Sequence, residues 1–85
     1  MRVHLGGHLA WYDPHKRARF TVTVAEPVRL TELLARLGVP AAEVAVATVN
    51  GVVVELEPTW ISDVDCVEVF PPVGGGASQV QGRDA

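Results

Sequence analysis

The chain has 85 residues, the length of one small domain, and 48% of them are hydrophobic, enough to form a core. Its formal net charge of −3 argues against a nucleic-acid-binding protein, because such proteins are usually basic. A single cysteine excludes an internal disulfide framework, no signal-peptide pattern follows Met1, and no apolar run approaches the roughly 20 residues of a membrane span. These features predict a soluble cytoplasmic protein.

Two alternating segments at the start of the chain predict a β-hairpin. Apolar and polar residues alternate over residues 1–5 and again over residues 19–24, the pattern of half-buried strands. Gly6 and Gly7 interrupt the first segment, which indicates a bulge or the close approach of another backbone. Residues 9–12 are expected to continue that strand, and residues 13–17 have the composition of a turn.

One amphipathic helix follows the hairpin. Four leucines fall at the spacing i, i+3, i+4 and i+7, which places them in one stripe on a helix: Leu30, Leu33, Leu34 and Leu37. Gly38 suits the left-handed position that ends a helix, and Pro40 prevents continuation. Residues 40–43 are expected to form one further short turn.

The second half of the chain predicts three more strands. Residues 45–49 and 52–54 are apolar, and the Asn50-Gly51 pair that joins them is typical of a type I′ hairpin turn. Residues 55–65 are expected to be irregular, with Trp60 and Ile61 buried, and residues 66–70 form the last strand. The order ββαβββ, with the last strand parallel to the first, predicts an α+β fold of the β-grasp (ubiquitin-like) type.

The last strand runs into an ending that is poor in side chains. Its residues are Phe70, Pro71, Pro72, Val73, Gly74, Gly75 and Gly76. The prolines end the strand ladder because they have no N–H, and the glycines carry no Cβ, so this stretch can pass where side chains would block it. The sequence therefore predicts a domain over residues 1–73 and a flexible arm over residues 74–85, of which residues 77–85 are expected to be disordered.

This ending resembles that of the MoaD/ThiS family of ubiquitin-like sulfur carriers, and the resemblance extends over about residues 3–76. In that family an adenylyltransferase of the ubiquitin-activating type uses ATP to join the carboxylate of the last glycine to AMP, and sulfur then replaces AMP. The resemblance implies a protein co-substrate rather than an enzyme, with Gly76 as the thiocarboxylate position and no bound cofactor. It also implies that Phe70 to Gly75 contact the adenylyltransferase and a sulfur-accepting synthase subunit.

The chain departs from the family pattern after the glycines. Nine residues follow Gly76, and a carbonyl in an amide bond cannot be adenylated. A protease can remove residues 77–85, the tail can be natural in a protein that is no longer a carrier, or the tail can be an artificial addition. We favour removal by a protease.

The sequence is compatible with several functions. The Phe-Pro-Pro-Val stretch is closer to the molybdopterin branch, which favours a role in molybdenum- or tungsten-cofactor synthesis over one in thiamin thiazole or cysteine synthesis. The alternatives are a ubiquitin-like protein modifier and a non-catalytic β-grasp binding module. Cys66 is expected to point outward and be inert, and the scattered histidines form no metal signature.

Overall fold

A mixed sheet and one main α-helix make up the part of the chain that the computed structural model describes, residues 1–73. In chain order the strands are β1 (Arg2–Leu5), β2 (Arg19–Thr21), β3 (Val28–Arg29), β4 (Val46–Val49), β5 (Val52–Val54), β6 (Trp60–Ile61) and β7 (Cys66–Phe70). The α-helix, α1, is Leu30–Leu37. A first 3-10 helix covers Gly7–Tyr12 and a second covers Ala41–Glu43.

The topology is the predicted β-grasp arrangement. Five strands form one sheet in the order β2-β1-β7-β4-β5, in which β1 and β7 are parallel and every other pair is antiparallel. The predicted order ββαβββ is therefore confirmed for the main sheet. Two short strands that the sequence did not indicate, β3 and β6, pair beside the start of α1, with Val28 opposite Ile61.

The helix packs its leucine stripe against the inner face of the sheet. Leu30, Leu33 and Leu34 are at most 1% exposed, and they meet the inward residues of the central strands, such as Val67 and Val69. Burying each such side chain stabilises the fold by about 1.5 to 3 kcal/mol. Within residues 1–73, no helix has the length and apolar character needed to cross a bilayer.

Both predicted left-handed turns are confirmed. Gly38 ends α1 with a φ of 77°, and its N–H donates to the carbonyl of Ala35. Asn50 and Gly51 have φ values of 53° and 84°, as a type I′ turn between β4 and β5 requires.

The segment after β1 corrects the sequence prediction. Residues 9–12 do not continue the strand but lie in the first 3-10 helix, because the chain turns at Gly7, whose φ is 52°. The turn carries Leu9 and Ala10 into the core, where they are 0% and 8% exposed. An extended chain would alternate these two neighbours between faces, so burying both favours the helix. The predicted second strand also ends early, at Thr21.

The predicted burial of Trp60 is wrong, whereas that of Ile61 is confirmed. Trp60 is 57% exposed and Ile61 is 1% exposed. Neighbours in a strand point to opposite sides, so β6 can bury only one of the two. Trp60 instead stacks against Arg29 on the surface, with 4.8 Å between the guanidinium carbon and the ring centroid.

Candidate functional site

The chain leaves the sheet at the end of β7, which is the central strand. The carbonyl of Phe70 accepts the last hydrogen bond of the strand, from the N–H of Ala45, at 2.8 Å. Pro71 has no N–H, so the ladder stops there, as predicted. Pro71 is half-buried, Pro72 is exposed and the side chain of Val73 is 97% exposed. The chain therefore separates from its own domain directly after Pro71.

Phe70 lies on the outer face of the sheet, as predicted, but it also packs against its own domain. A Cβ at Gly6 would collide with the Phe70 ring, and the ring of His4 meets that ring edge-on at 5.5 Å between centroids. A Cβ at Gly7 would lie 2.8 Å from Cγ of Pro71. The predicted close approach of another backbone is confirmed at Gly6, where a Cβ would lie 3.1 Å from the carbonyl oxygen of Val69. At Gly7 the close neighbour is the ring of Pro71, a side chain, and not a backbone as predicted. The partner-binding role of Phe70 and Pro71 stays a prediction.

Two exposed valines extend the apolar surface beside Phe70. Val46 lies opposite Phe70 in the β4–β7 pair and is 42% exposed. Val53, opposite Thr48 in the β4–β5 pair, is 70% exposed on the same face. Sequence reasoning missed both, because residues 45–49 are almost uniformly apolar and residues 52–54 are all valine, so neither stretch shows which side chains face outward. The two-residue turn at residues 50–51 was the available signal, since it fixes the register of the hairpin.

The rest of the outer face is polar. One carboxylate oxygen of Glu68 lies 3.2 Å from Nδ1 of His4. The other accepts a hydrogen bond from the Thr48 hydroxyl at 3.2 Å. These contacts, led by that of His4, lower the pKa of Glu68. A shallow cavity of about 350 Å³ lies over β2, β1 and β7, and its polar lining is Arg2, His4, Arg19, Thr21, Cys66 and Glu68.

Cys66 is half-buried and faces outward with Glu68, as predicted. Across residues 1–73, no three His, Cys, Asp or Glu side chains are grouped so as to hold a metal ion. The outer face of β7 therefore offers a partner two kinds of contact: an apolar area beside Phe70 and a charged area around Glu68.

The residues predicted to carry the chemistry follow this surface in the chain. Gly74, Gly75 and Gly76 lie outside the described residues, as do residues 77–85. The thiocarboxylate position and the removal of the tail therefore stay predictions, and so does the boundary of the arm. The structure supplies the point at which the chain leaves the sheet and the surface around that point.

Comparisons with known proteins agree on one family. The ThiS family model matches residues 9–76. A crystal structure of the thiamine biosynthesis protein ThiS from Geobacter metallireducens is 33% identical, with a TM-score of 0.55, over 89% of this chain and 100% of that chain. An NMR solution structure of a thiamine biosynthesis protein from the same organism is 31% identical, with a TM-score of 0.53, over 94% of each chain. No curated protein matches the sequence significantly.

The family match covers most of the chain, including the last strand and the glycines that follow it. The solved ThiS structures share the small α+β fold with a mixed sheet. The resemblance inferred from the Phe-Pro-Pro-Val and glycine ending is thereby confirmed. The chain belongs to the ThiS family, within the MoaD/ThiS group of sulfur carriers.

Proposed function

We propose that this protein carries sulfur as a thiocarboxylate on Gly76, after a protease has removed residues 77–85. The observation that carries the proposal is the extent of the family match, which ends at Gly76 although nine more residues follow. The point at which the chain leaves the sheet also supports the proposal. The sheet ladder ends before Pro71, and Gly76 follows only five positions later in the sequence.

The chemistry requires two steps on partner proteins. An adenylyltransferase of the ubiquitin-activating type joins the Gly76 carboxylate to AMP and releases pyrophosphate from ATP. A hydrosulfide equivalent then attacks the acyl carbon and displaces AMP, which leaves a thiocarboxylate and releases a proton. The protein acts as a co-substrate in both steps, and a synthase subunit accepts the sulfur afterwards. Its own contribution is to deliver an acyl carbon without neighbouring side chains to each partner's active site.

Thiamin thiazole synthesis is the first pathway to test. The two solved relatives are named for thiamine biosynthesis, whereas the preference for molybdopterin rests on the Phe-Pro-Pro-Val stretch alone. Synthesis of the molybdenum or tungsten cofactor stays the alternative. Growth of a strain without the gene separates the two, because rescue by thiazole supports the first branch and failure of molybdenum or tungsten enzymes supports the second.

Activation by the adenylyltransferase encoded in the same genome tests the central claim. We expect the chain ending at Gly76 to support exchange of pyrophosphate with ATP, whereas the full 85-residue chain, the matched control, does not, because its Gly76 carbonyl is an amide. Equal exchange with both chains, or none with either, would contradict the proposal.

Mass spectrometry of protein from the native host identifies the natural form. A chain ending at Gly76 with the mass gain of one oxygen-to-sulfur exchange supports the carrier. Peptides in which Gly76 is joined to a lysine side chain would favour a protein modifier instead. Full-length chains alone would favour a non-catalytic binding module.

A further inference from the structure

The first 3-10 helix lies directly against the end of β7 and against Pro71, where the chain leaves the sheet. The N–H of Gly6 donates to the carbonyl of Val69 at 2.8 Å, and a Cβ at Gly6 would lie 3.1 Å from that same oxygen. A Cβ at Gly7 would be similarly close to the ring of Pro71. The first residues of this helix therefore limit, from one side, the direction in which the chain can leave β7.

A single carboxylate joins this helix to the second 3-10 helix. Oε1 of Glu43 lies 2.7 Å from Nε2 of His8, and Oε2 of Glu43 accepts a hydrogen bond from the hydroxyl of Tyr12 at 2.6 Å. The rings of His8 and Tyr12 meet edge to face, with centroids 6.4 Å apart. The hydrogen bond from Tyr12, followed by that from His8, lowers the pKa of Glu43, so the carboxylate is ionised at neutral pH and both contacts are charge-assisted.

The second 3-10 helix leads into β4, the strand that flanks the end of β7 on the other side. Ala45, two residues after Glu43, donates its N–H to the carbonyl of Phe70 at 2.8 Å, and Val46 then pairs with Phe70. Glu43 thus connects the two segments that flank the end of β7. Gly6, at the N-terminal end of the first 3-10 helix, has no side chain that could cap it. Glu43 instead holds the helix by two side-chain contacts, with His8 and with Tyr12.

We propose that Glu43 is a positioning residue, which holds the first 3-10 helix through His8 and Tyr12 and so fixes the direction in which the chain leaves the sheet at Pro71 and leads to the arm. The consequence for catalysis rests on the proposed function: a fixed exit direction aims Gly76 at the active site of the adenylyltransferase while the sheet face docks. Loss of the carboxylate leaves the docking surface unchanged but lets the arm start in other directions.

Glu43→Ala and Glu43→Gln test the proposal, with Glu32→Ala as the matched control. Glu43→Ala removes both contacts, and Glu43→Gln retains one acceptor oxygen and keeps the shape. Glu32 is an exposed glutamate on α1 that pairs with Arg36, so its substitution changes the charge equally at a different place. Melting temperatures establish that all three variants are folded.

The first readout is the orientation of the Val73 N–H, measured by residual dipolar couplings on the full 85-residue chain. This is the first amide after Phe70, because residues 71 and 72 are prolines. We expect its coupling to change in Glu43→Ala, to change less in Glu43→Gln and to stay as in the wild type in Glu32→Ala. An unchanged coupling in Glu43→Ala overturns the proposal, whatever the activity.

The second readout is the kinetics of adenylation for chains ending at Gly76. We expect Glu43→Ala to lower kcat about tenfold with an unchanged KM for the carrier, because the bound arm is misaligned while docking is intact. A rise in KM with unchanged kcat, or no change in either, overturns the role in delivery. If the wild-type chain is not adenylated at all, the proposed function fails, and the Val73 coupling alone then decides whether Glu43 sets the exit direction.

Discussion

The two ends of the central strand β7 are built differently. At the end where β7 begins, called here the entry end, side-chain oxygens cap the backbone: Asp65 accepts from the N–H of Ser62 at 2.7 Å, and Asn50 accepts from the N–H of Cys66 at 2.9 Å. Asp65 also accepts a hydrogen bond from the side chain of Asn50 at 2.9 Å. At the end after Phe70, called here the exit end, Pro71 has no N–H to cap, and Phe70 and Pro71 pack closely against Gly6 and Gly7.

This difference shows how one strand is both fixed and released. The entry end stabilises a turn by hydrogen bonds, which tie the loop before β7 to the β4–β5 hairpin. The exit end has only backbone hydrogen bonds, from Gly6 to Val69 and from Ala45 to Phe70, and beyond them Pro71 is held by packing against Gly7. The next two side chains are exposed. A chain that has to reach another protein needs such an ending, because capping bonds beyond Pro71 would hold it on its own domain.

Replacing Leu9 by alanine tests whether the exit end is anchored in the core, and we expect the largest effect here. Leu9 is 0% exposed in the first 3-10 helix, and its truncation should lower the free energy of unfolding by about 2 to 5 kcal/mol, measured by urea denaturation. Trp11→Ala is the control in the same helix, since Trp11 is 74% exposed and its loss should cost under about 0.5 kcal/mol. If Leu9→Ala and Trp11→Ala lower the free energy of unfolding equally, this helix does not anchor the exit end in the core.

Gly6→Ala tests the contact with Phe70, with an intermediate effect. Gly6 has a φ of −78°, which alanine adopts freely, so the expected loss of about 1 to 3 kcal/mol in the free energy of unfolding is steric. In a Phe70→Leu background the cost of Gly6→Ala should fall, because the colliding ring is gone.

Gly38→Ala is the matched control for that cycle. Gly38 has a φ of 77°, and the position that a Cβ would take there has no neighbour within 4 Å, so alanine should cost about 1 kcal/mol of conformational strain. That cost should be the same with either residue at position 70. If Phe70→Leu changes both costs equally, the Gly6 contact does not set the exit end.

Asp65→Asn tests the entry end and should have the smallest effect of the three test substitutions, a loss of about 1 to 2 kcal/mol in the free energy of unfolding at pH 7. The hydrogen bonds from Asn50 and Ser62 lower the pKa of Asp65 in the folded protein. The stability that the carboxylate contributes is therefore present above its unfolded pKa of about 4 and is lost as the pH falls through the lowered folded pKa. Urea denaturation of both proteins at about pH 7, 4 and 2.5 should show the gap between them closing with acid. A gap independent of pH would mean that ionised Asp65 is not the cap.

The hydrophobic pattern of the sequence was sufficient to predict the five strands of the main sheet and α1, but not β3, β6 or the first 3-10 helix. The leucine stripe of α1, the Asn50-Gly51 turn and the alternation in β1 and β7 each follow from local rules of periodicity and backbone conformation. The ending after β7 was sufficient for the family, because the order of an aromatic, two prolines and glycines falls in the stretch with which the family match ends, at Gly76.

Only the tertiary structure decided the surroundings of the exit. The partners of Gly6, Gly7 and Glu43 lie 31 to 64 residues away along the chain, and no local pattern encodes such contacts. The same reason explains the error at Trp60, because pairing with β3 determines which of two apolar neighbours faces the core. Periodicity fixes the side of an element on which a residue lies, whereas packing between distant segments decides what that residue touches.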